Sequence, residues 1–212
     1  KRGYHRAMKT IGVLLFPEFE LLDVFGPLEM FGMLEDVSIR LVAERDREIA
    51  STQGPRSAID DLFADDAAYD ILLVPGGRGT RREVDNAALL AWLQAKAAKT
   101  DHVASVCTGS ALLAKAGLLD GLPATTNKLA FDWVRAQGPK VDWRPRARWV
   151  EAGKFWTSSG VSAGMDMSLA LIAGLRGVAI AEQAAAWAEY SWHRDPAEDP
   201  FAVAAEQNSG AG

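Results

Sequence analysis

With 212 residues, 49% of them hydrophobic and 24% charged, the chain has the make-up of a globular protein with room for one sizeable core. A formal net charge of -5 without a basic stripe gives nucleic-acid binding no electrostatic footprint. One cysteine rules out an internal disulfide and a cysteine-built zinc site, and the three scattered histidines (His5, His102, His193) lack ligand spacing, so neither metal nor cofactor is expected.

The opening KRGYHRA has no apolar centre like that of a signal peptide, and residues 1–8 read as a short extension ending at Met8. No apolar run reaches membrane-spanning length, so a cytoplasmic protein without a membrane partner is expected, where a thiol stays reduced. Residues 10–16, TIGVLLF, form a continuous apolar run suited to a strand covered on both faces, and Pro17 ends it. Residues 20–34 space their apolar side chains as a helix, with Gly26-Pro27 kinking or restarting it. Residues 38–43 read as the next strand. Residues 45–66 are polar with short alternations and suggest a small hairpin around 49–52 and 57–59. A third buried run, 71–74, closes on Pro75-Gly76-Gly77, and residues 84–99 form an amphipathic helix. A strand at 102–106 and a helix at 110–115 follow. Beyond Gly117 come a short strand at 124–126, a helix at 129–137 and two strands at 147–150 and 155–158, separated by Glu151-Ala152-Gly153, which suits a hairpin or two neighbouring strands. Two Ala-rich helices, 162–174 and 179–190, precede an irregular polar tail from Trp192. Strands alternating with helices predict an α/β protein, a mostly parallel sheet with helices on both faces, and one domain over 1–212.

In such sheets, sites form beyond the carboxyl ends of strands. Cys107, the single cysteine, stands between the strand at 102–106 and the following helix, in VCTGS. It is either a small buried hydrophobe or a nucleophile in a tight elbow. In the elbow, helix-terminal N–H groups and the helix dipole would lower its pKa and hold it partly as thiolate. Asp23, set among apolar residues in FELLDVFGP, either caps the Gly26-Pro27 turn or is a desolvated carboxyl with a raised pKa, able to trade a proton. Glu18 and Glu20 look more exposed. Gly76 and Gly77 form a plain turn or aim N–H groups, with that of Thr108, at a developing anion. Ser159 and Gly160, in SSGVSAG, line the pocket or cap the next helix. Asn127-Lys128 sits at another strand end, with Lys128 read as a solvated charge.

Together these residues resemble the ThiJ/PfpI superfamily, within the class I glutamine amidotransferase-like group of flavodoxin-like folds. The carrying motifs are GVLLFPEFELLDVFGP, DILLVPGGRGT, ASVCTGSALLAKAGLLDG, PATTN and FWTSSGVSAGMD, spread over residues 11–175. The resemblance implies that Cys107 is the nucleophile, that Asp23 is its acidic partner, and that Gly77 and Thr108 supply an oxyanion-type pocket. It also implies a homodimer and a small-molecule substrate. Thr108 stands where protease-like and glyoxalase-like members place His, so Cys-Thr-Gly-Ser looks most like the isocyanide (isonitrile) hydratase branch and the ligand-sensing halves of AraC-type regulators. No helix-turn-helix pattern follows the last core helix, which disfavours the regulator reading. Two positions differ from the hydratases: Asn127 replaces a His after Thr125-Thr126, and Ser158-Ser159-Gly160 replaces a glycine-richer loop. The expected activity is addition of water to an isocyanide through a Cys107 thioimidate, with Asp23 as proton carrier. The alternatives are another thiol enzyme of glyoxalase or amidase type, and a redox-sensing or ligand-binding protein without turnover.

Overall fold

The structure, a computed structural model, describes residues 9–202. The extension at 1–8 and the last ten residues of the tail lie outside them. Strand β1 (Lys9–Leu14) leads to helix α1 (Leu21–Gly32) and β2 (Val37–Ala43). A polar excursion follows: β3 (Glu48–Ala50), β4 (Arg56–Ala58), β5 (Asp61–Leu62) and a single 3-10 turn. Then come β6 (Ile71–Val74), the short α2 (Thr80–Glu83), α3 (Ala87–Lys99), β7 (His102–Ser105) and α4 (Gly109–Lys115). The last third holds β8 (Pro123–Ala124), α5 (Phe131–Gln137), β9 (Asp142–Trp143), β10 (Trp149–Ala152), β11 (Phe155–Ser158), α6 (Ala163–Arg176) and α7 (Val178–Trp187).

Seven strands form the central sheet in the order β10-β11-β7-β6-β1-β2-β5. All neighbours run parallel except β10 and β11, which form the expected hairpin. The apolar runs become the middle strands because both faces there are covered: Ile11, Val13, Leu14, Leu72 and Val103 are sealed from solvent. From β1 the chain crosses to β2 in one direction, and from β6 it crosses to β7 in the other. Right-handed crossovers therefore put α1 on one face and α3 on the opposite face. The contacts agree: α1 packs on α6 and α7, whereas α4 packs against α2, α3 and α5. The direction reverses between β1 and β6, so their carboxyl ends open a crevice there, with the end of β7 beside it.

Several boundaries differ from those the sequence suggests. The helix over 20–34 is one unbroken element through Pro27, which leaves the Asp23 carbonyl without its usual donor. The helix expected from Val84 starts at Ala87, because the Asn86 side chain accepts from the N–H groups of Ala88 (3.1 Å) and Leu89 (3.2 Å). The preceding turn is the separate α2. The hairpin at 45–66 is present as β3 with β4, but β5 joins the main sheet instead. Among the described residues no helix is long and apolar enough to cross a membrane. The tail beyond Trp192 is irregular, yet it is anchored: the Pro196 carbonyl accepts from Arg148 N–H at 2.8 Å, and buried Asp199 meets Arg148 Nη1 at 3.5 Å.

Candidate active site

Between β7 and α4 the chain must turn within three residues, and Cys107 takes a φ of 57° to do it. That left-handed backbone costs a residue with a Cβ on the order of 1–3 kcal/mol and persists only where its surroundings enforce it. Here they do. The Cys107 N–H donates to the Ser159 carbonyl at 3.1 Å, and the Cys107 carbonyl accepts from the hydroxyls of Thr126 (2.9 Å) and Ser110 (3.2 Å).

The crevice brings the other loops in. The loop after β1 is fastened to the turn after β6: Glu20 N–H donates to the Gly76 carbonyl at 2.8 Å, and Gly79 N–H to the Glu18 carbonyl at 3.1 Å. This fixes the start of α1, so Asp23, in its first turn, faces inward with no exposure to solvent. Its Oδ2 accepts from Gly76 N–H at 2.8 Å. Its Oδ1 is buried without a conventional partner, and Cys107 is the side chain that engages the carboxyl from the other side. Gly76 is required by close approach: a Cβ there would lie 2.6 Å from the Thr108 nitrogen and 3.0 Å from Asp23 Oδ2. Gly160 lies across the site, where a Cβ would meet Asn127 Nδ2 at 2.6 Å and the amide would have to shift.

The two acids share one environment. Burial drives the Asp23 carboxyl well above the usual range, toward its neutral form, although the Gly76 N–H works against this. Burial also pushes the Cys107 thiol up, and the Asp23 carboxyl adds to that. The N–H groups of Thr108 and Val161 and the Asn127 amide hydrogen-bond the sulfur and pull the other way. The expected lowered thiol pKa is therefore corrected. With the residue 6% exposed, desolvation outweighs the helix terminus. The sulfur is not sealed in hydrocarbon, however. It borders a cavity of about 460 Å³ with Glu20, Gly77, Arg78, Arg81, Thr108 and Asn127 on its walls. Larger hollows elsewhere contain no nucleophile.

The DJ-1/PfpI family model matches residues 9–174, from β1 through the elbow into α6. The chain belongs to the DJ-1/PfpI family. It is 35% identical to the isonitrile hydratase of Pseudomonas putida over 85% of this chain and 78% of that protein. It is 31% identical to the HTH-type transcriptional regulator GbdR of Pseudomonas aeruginosa over 79% of this chain, but spans only 47% of the regulator. Among solved structures, a ThiJ/PfpI family protein from Pseudomonas syringae superposes with a TM-score of 0.80 at 32% identity, covering 92% of this chain and 78% of that one. The flavodoxin-like fold expected from the sequence is thereby shown.

Within this DJ-1/PfpI chain, Cys107, Asp23, Thr108, Gly76, Gly77, Asn127, Ser159 and Gly160 do lie around one point, though not always in the expected posture. Asp23 bonds across to Gly76 and does not cap the Gly26-Pro27 turn. The N–H groups of Gly76 and Gly77 are both taken, by Asp23 Oδ2 and by Thr108 Oγ1 at 3.1 Å. Thr108 N–H points at the sulfur. The two donors expected of an oxyanion pocket, Gly77 and Thr108, here serve protein acceptors, the Thr108 hydroxyl and the Cys107 sulfur. The Thr108 hydroxyl clasps the elbow to the Gly77 turn and to Thr80 Oγ1 at 3.1 Å. Lys128 is not solvated. It is buried, donates to Thr125 Oγ1 (2.8 Å) and the Ala147 carbonyl (2.6 Å), and burial lowers its pKa to about 8. Sequence reasoning missed Val161, whose φ of 43° is rare for a β-branched residue and turns its N–H toward the sulfur. It also missed Arg78 and Arg81, although both stand in the conspicuous GGRGTR stretch.

Proposed function

We propose that this protein is an isocyanide hydratase-like enzyme that converts R–NC and water to the formamide R–NH–CHO. The observation that carries this reading is a fully buried Asp23 carboxyl, its pKa raised by that burial, against the chain's single thiol, with no histidine among the described residues of the site. A carbon that must gain both a sulfur and a proton suits such a pair. The Cys107 sulfur forms a bond to the terminal isocyanide carbon while that carbon's lone pair takes the Asp23 proton. The carboxylate so formed receives the thiol proton. The result is a thioimidate, Cys107–S–CH=N–R, with Asp23 again protonated. Water then adds across C=N, its oxygen to carbon and a proton to nitrogen. When the C–S bond breaks, its electron pair goes to sulfur, where the donors from Thr108, Val161 and Asn127 stabilise it. The hydroxyl proton passes through Asp23 back to sulfur, and the formamide leaves. Cys107 and Asp23 end as they began.

The likeness to isonitrile hydratase over most of both chains supports the same chemistry here. Likeness to a regulator favours a second reading, ligand binding without turnover. The redox-sensing alternative is weakened by the burial that raises the thiol pKa. Large exposed apolar side chains on α1 and α7, Phe25, Val178 and Trp187 among them, support a homodimer as part of the proposal. The test is formamide production from an alkyl isocyanide near neutral pH. Wild type should turn over, Cys107→Ala should not, and Asp23→Asn should lose about 100-fold or more in rate. Equal rates in all three would reject the mechanism.

A further inference from the structure

The rim of the Cys107 cavity carries charge that the proposed chemistry does not use. Three arginines fall within α2 and the turn before it, and they have different fates. Arg82 is claimed by Glu83 (2.9 Å) and Glu18 (3.4 Å). Arg78 and Arg81 have no carboxylate partner among the described residues, and both border the cavity that holds the sulfur. The Arg81 guanidinium is stacked on the Trp133 ring, 3.8 Å from its centroid, so its position is set by packing rather than by an ion pair. One acid, Glu20, shares the rim, where its Oε1 accepts from Gln53 Nε2 at 2.5 Å. At the floor, Asp23 and Cys107 are driven toward neutrality by burial. Two cations against one anion leave the entrance at about +1, on a chain whose formal net charge is -5.

We infer that the substrate of this site is a monoanion, a small molecule with a carboxylate near its electrophilic carbon, gripped at the mouth by Arg78 and Arg81. A planar carboxylate fits the guanidinium fork, and a single negative charge matches a rim that Glu20 has half neutralised. A dianionic phosphate would face Glu20 unbalanced. The inference rests on Cys107 being the group that attacks substrate, but not on that substrate being an isocyanide.

The single cysteine makes the test direct. The rates at which iodoacetate and iodoacetamide alkylate Cys107 are measured, and their ratio is divided by that of a free small thiol in the same buffer. The normalised ratio should exceed one by about tenfold at low salt and shrink as salt is added. Arg78→Gln and Arg81→Gln should each lower it, and Arg81→Lys should recover part of it. A normalised ratio at or below one, no response to either Gln variant, or no alkylation by either reagent would overturn the inference. A second arm compares an isocyano carboxylate with its neutral amide as substrates. A lower KM for the acid that disappears in Arg78→Gln supports the inference, and equal KM values count against it. If neither compound is hydrated while the alkylation preference holds, only the hydratase reading falls.

Discussion

Sulfur in this site is governed by opposing forces of known direction. Desolvation and the Asp23 carboxyl disfavour the thiolate, and three donors from Thr108, Val161 and Asn127 favour it. Of the three, only the Asn127 amide belongs to a side chain, and its carbonyl oxygen is held by Ala130 N–H at 3.0 Å. Asn127→Ala should therefore raise the Cys107 pKa further, since it removes a hydrogen bond that favours the charged sulfur. The pH dependence of Cys107 alkylation reads this, and an unchanged or lowered midpoint would show that the amide does not support the thiolate. The Cys107 residue type and its neighbours in VCTGS are plain in the sequence. Its titration is not, because desolvation is supplied by residues far along the chain.

The elements that carry the site are legible to different degrees. The runs at β1, β6 and β7 are apolar without interruption, since strands covered on both faces need no polar alternation. Of the two-residue strands, β8 is marked in the sequence by the run at 124–126, whereas β9 leaves no periodic signal and forms through its pairing with β8. Start points depend on single caps, and Asn86 is the clearest. Its oxygen holds two N–H groups of α3, while its Nδ2 donates to Glu44 (2.7 Å) and Glu83 (2.8 Å). Asn86→Ala should cost about 1–2 kcal/mol and lower Tm by a few degrees, as thermal unfolding would report. A variant as stable as wild type would show that α3 does not depend on this cap.

For the molecule as a whole, the carboxylates that pair with cations on other elements set the acid limit of stability. Asp61 of β5 is held below the usual carboxylate range first by Arg40 of β2, at 2.7 and 2.5 Å, and Asp66 is held down by Lys96. A carboxyl whose pKa is depressed on folding stabilises the protein above its unfolded value near 4, and that stabilisation is lost as pH falls through the folded value. Asp23, raised, acts oppositely: its contribution is present at low pH and lost as pH rises through its folded value. The urea midpoint should accordingly fall between about pH 4 and pH 2, and Asp61→Asn should flatten that fall. A midpoint flat over this range in wild type would contradict the linkage.

The order of apolar runs and the lone cysteine between strand and helix were enough to determine the parallel sheet, the elbow and the loops that meet there, because buried strands and tight turns leave local marks in composition. What the tertiary structure alone decided is the electrostatics of the site. It buried the sulfur until its pKa rose, occupied the glycine N–H groups that looked free, and turned Val161 N–H toward the nucleophile. It also laid Arg81 on Trp133, a residue on another helix. Desolvation and pairing depend on which distant groups share a volume, and no local pattern records that.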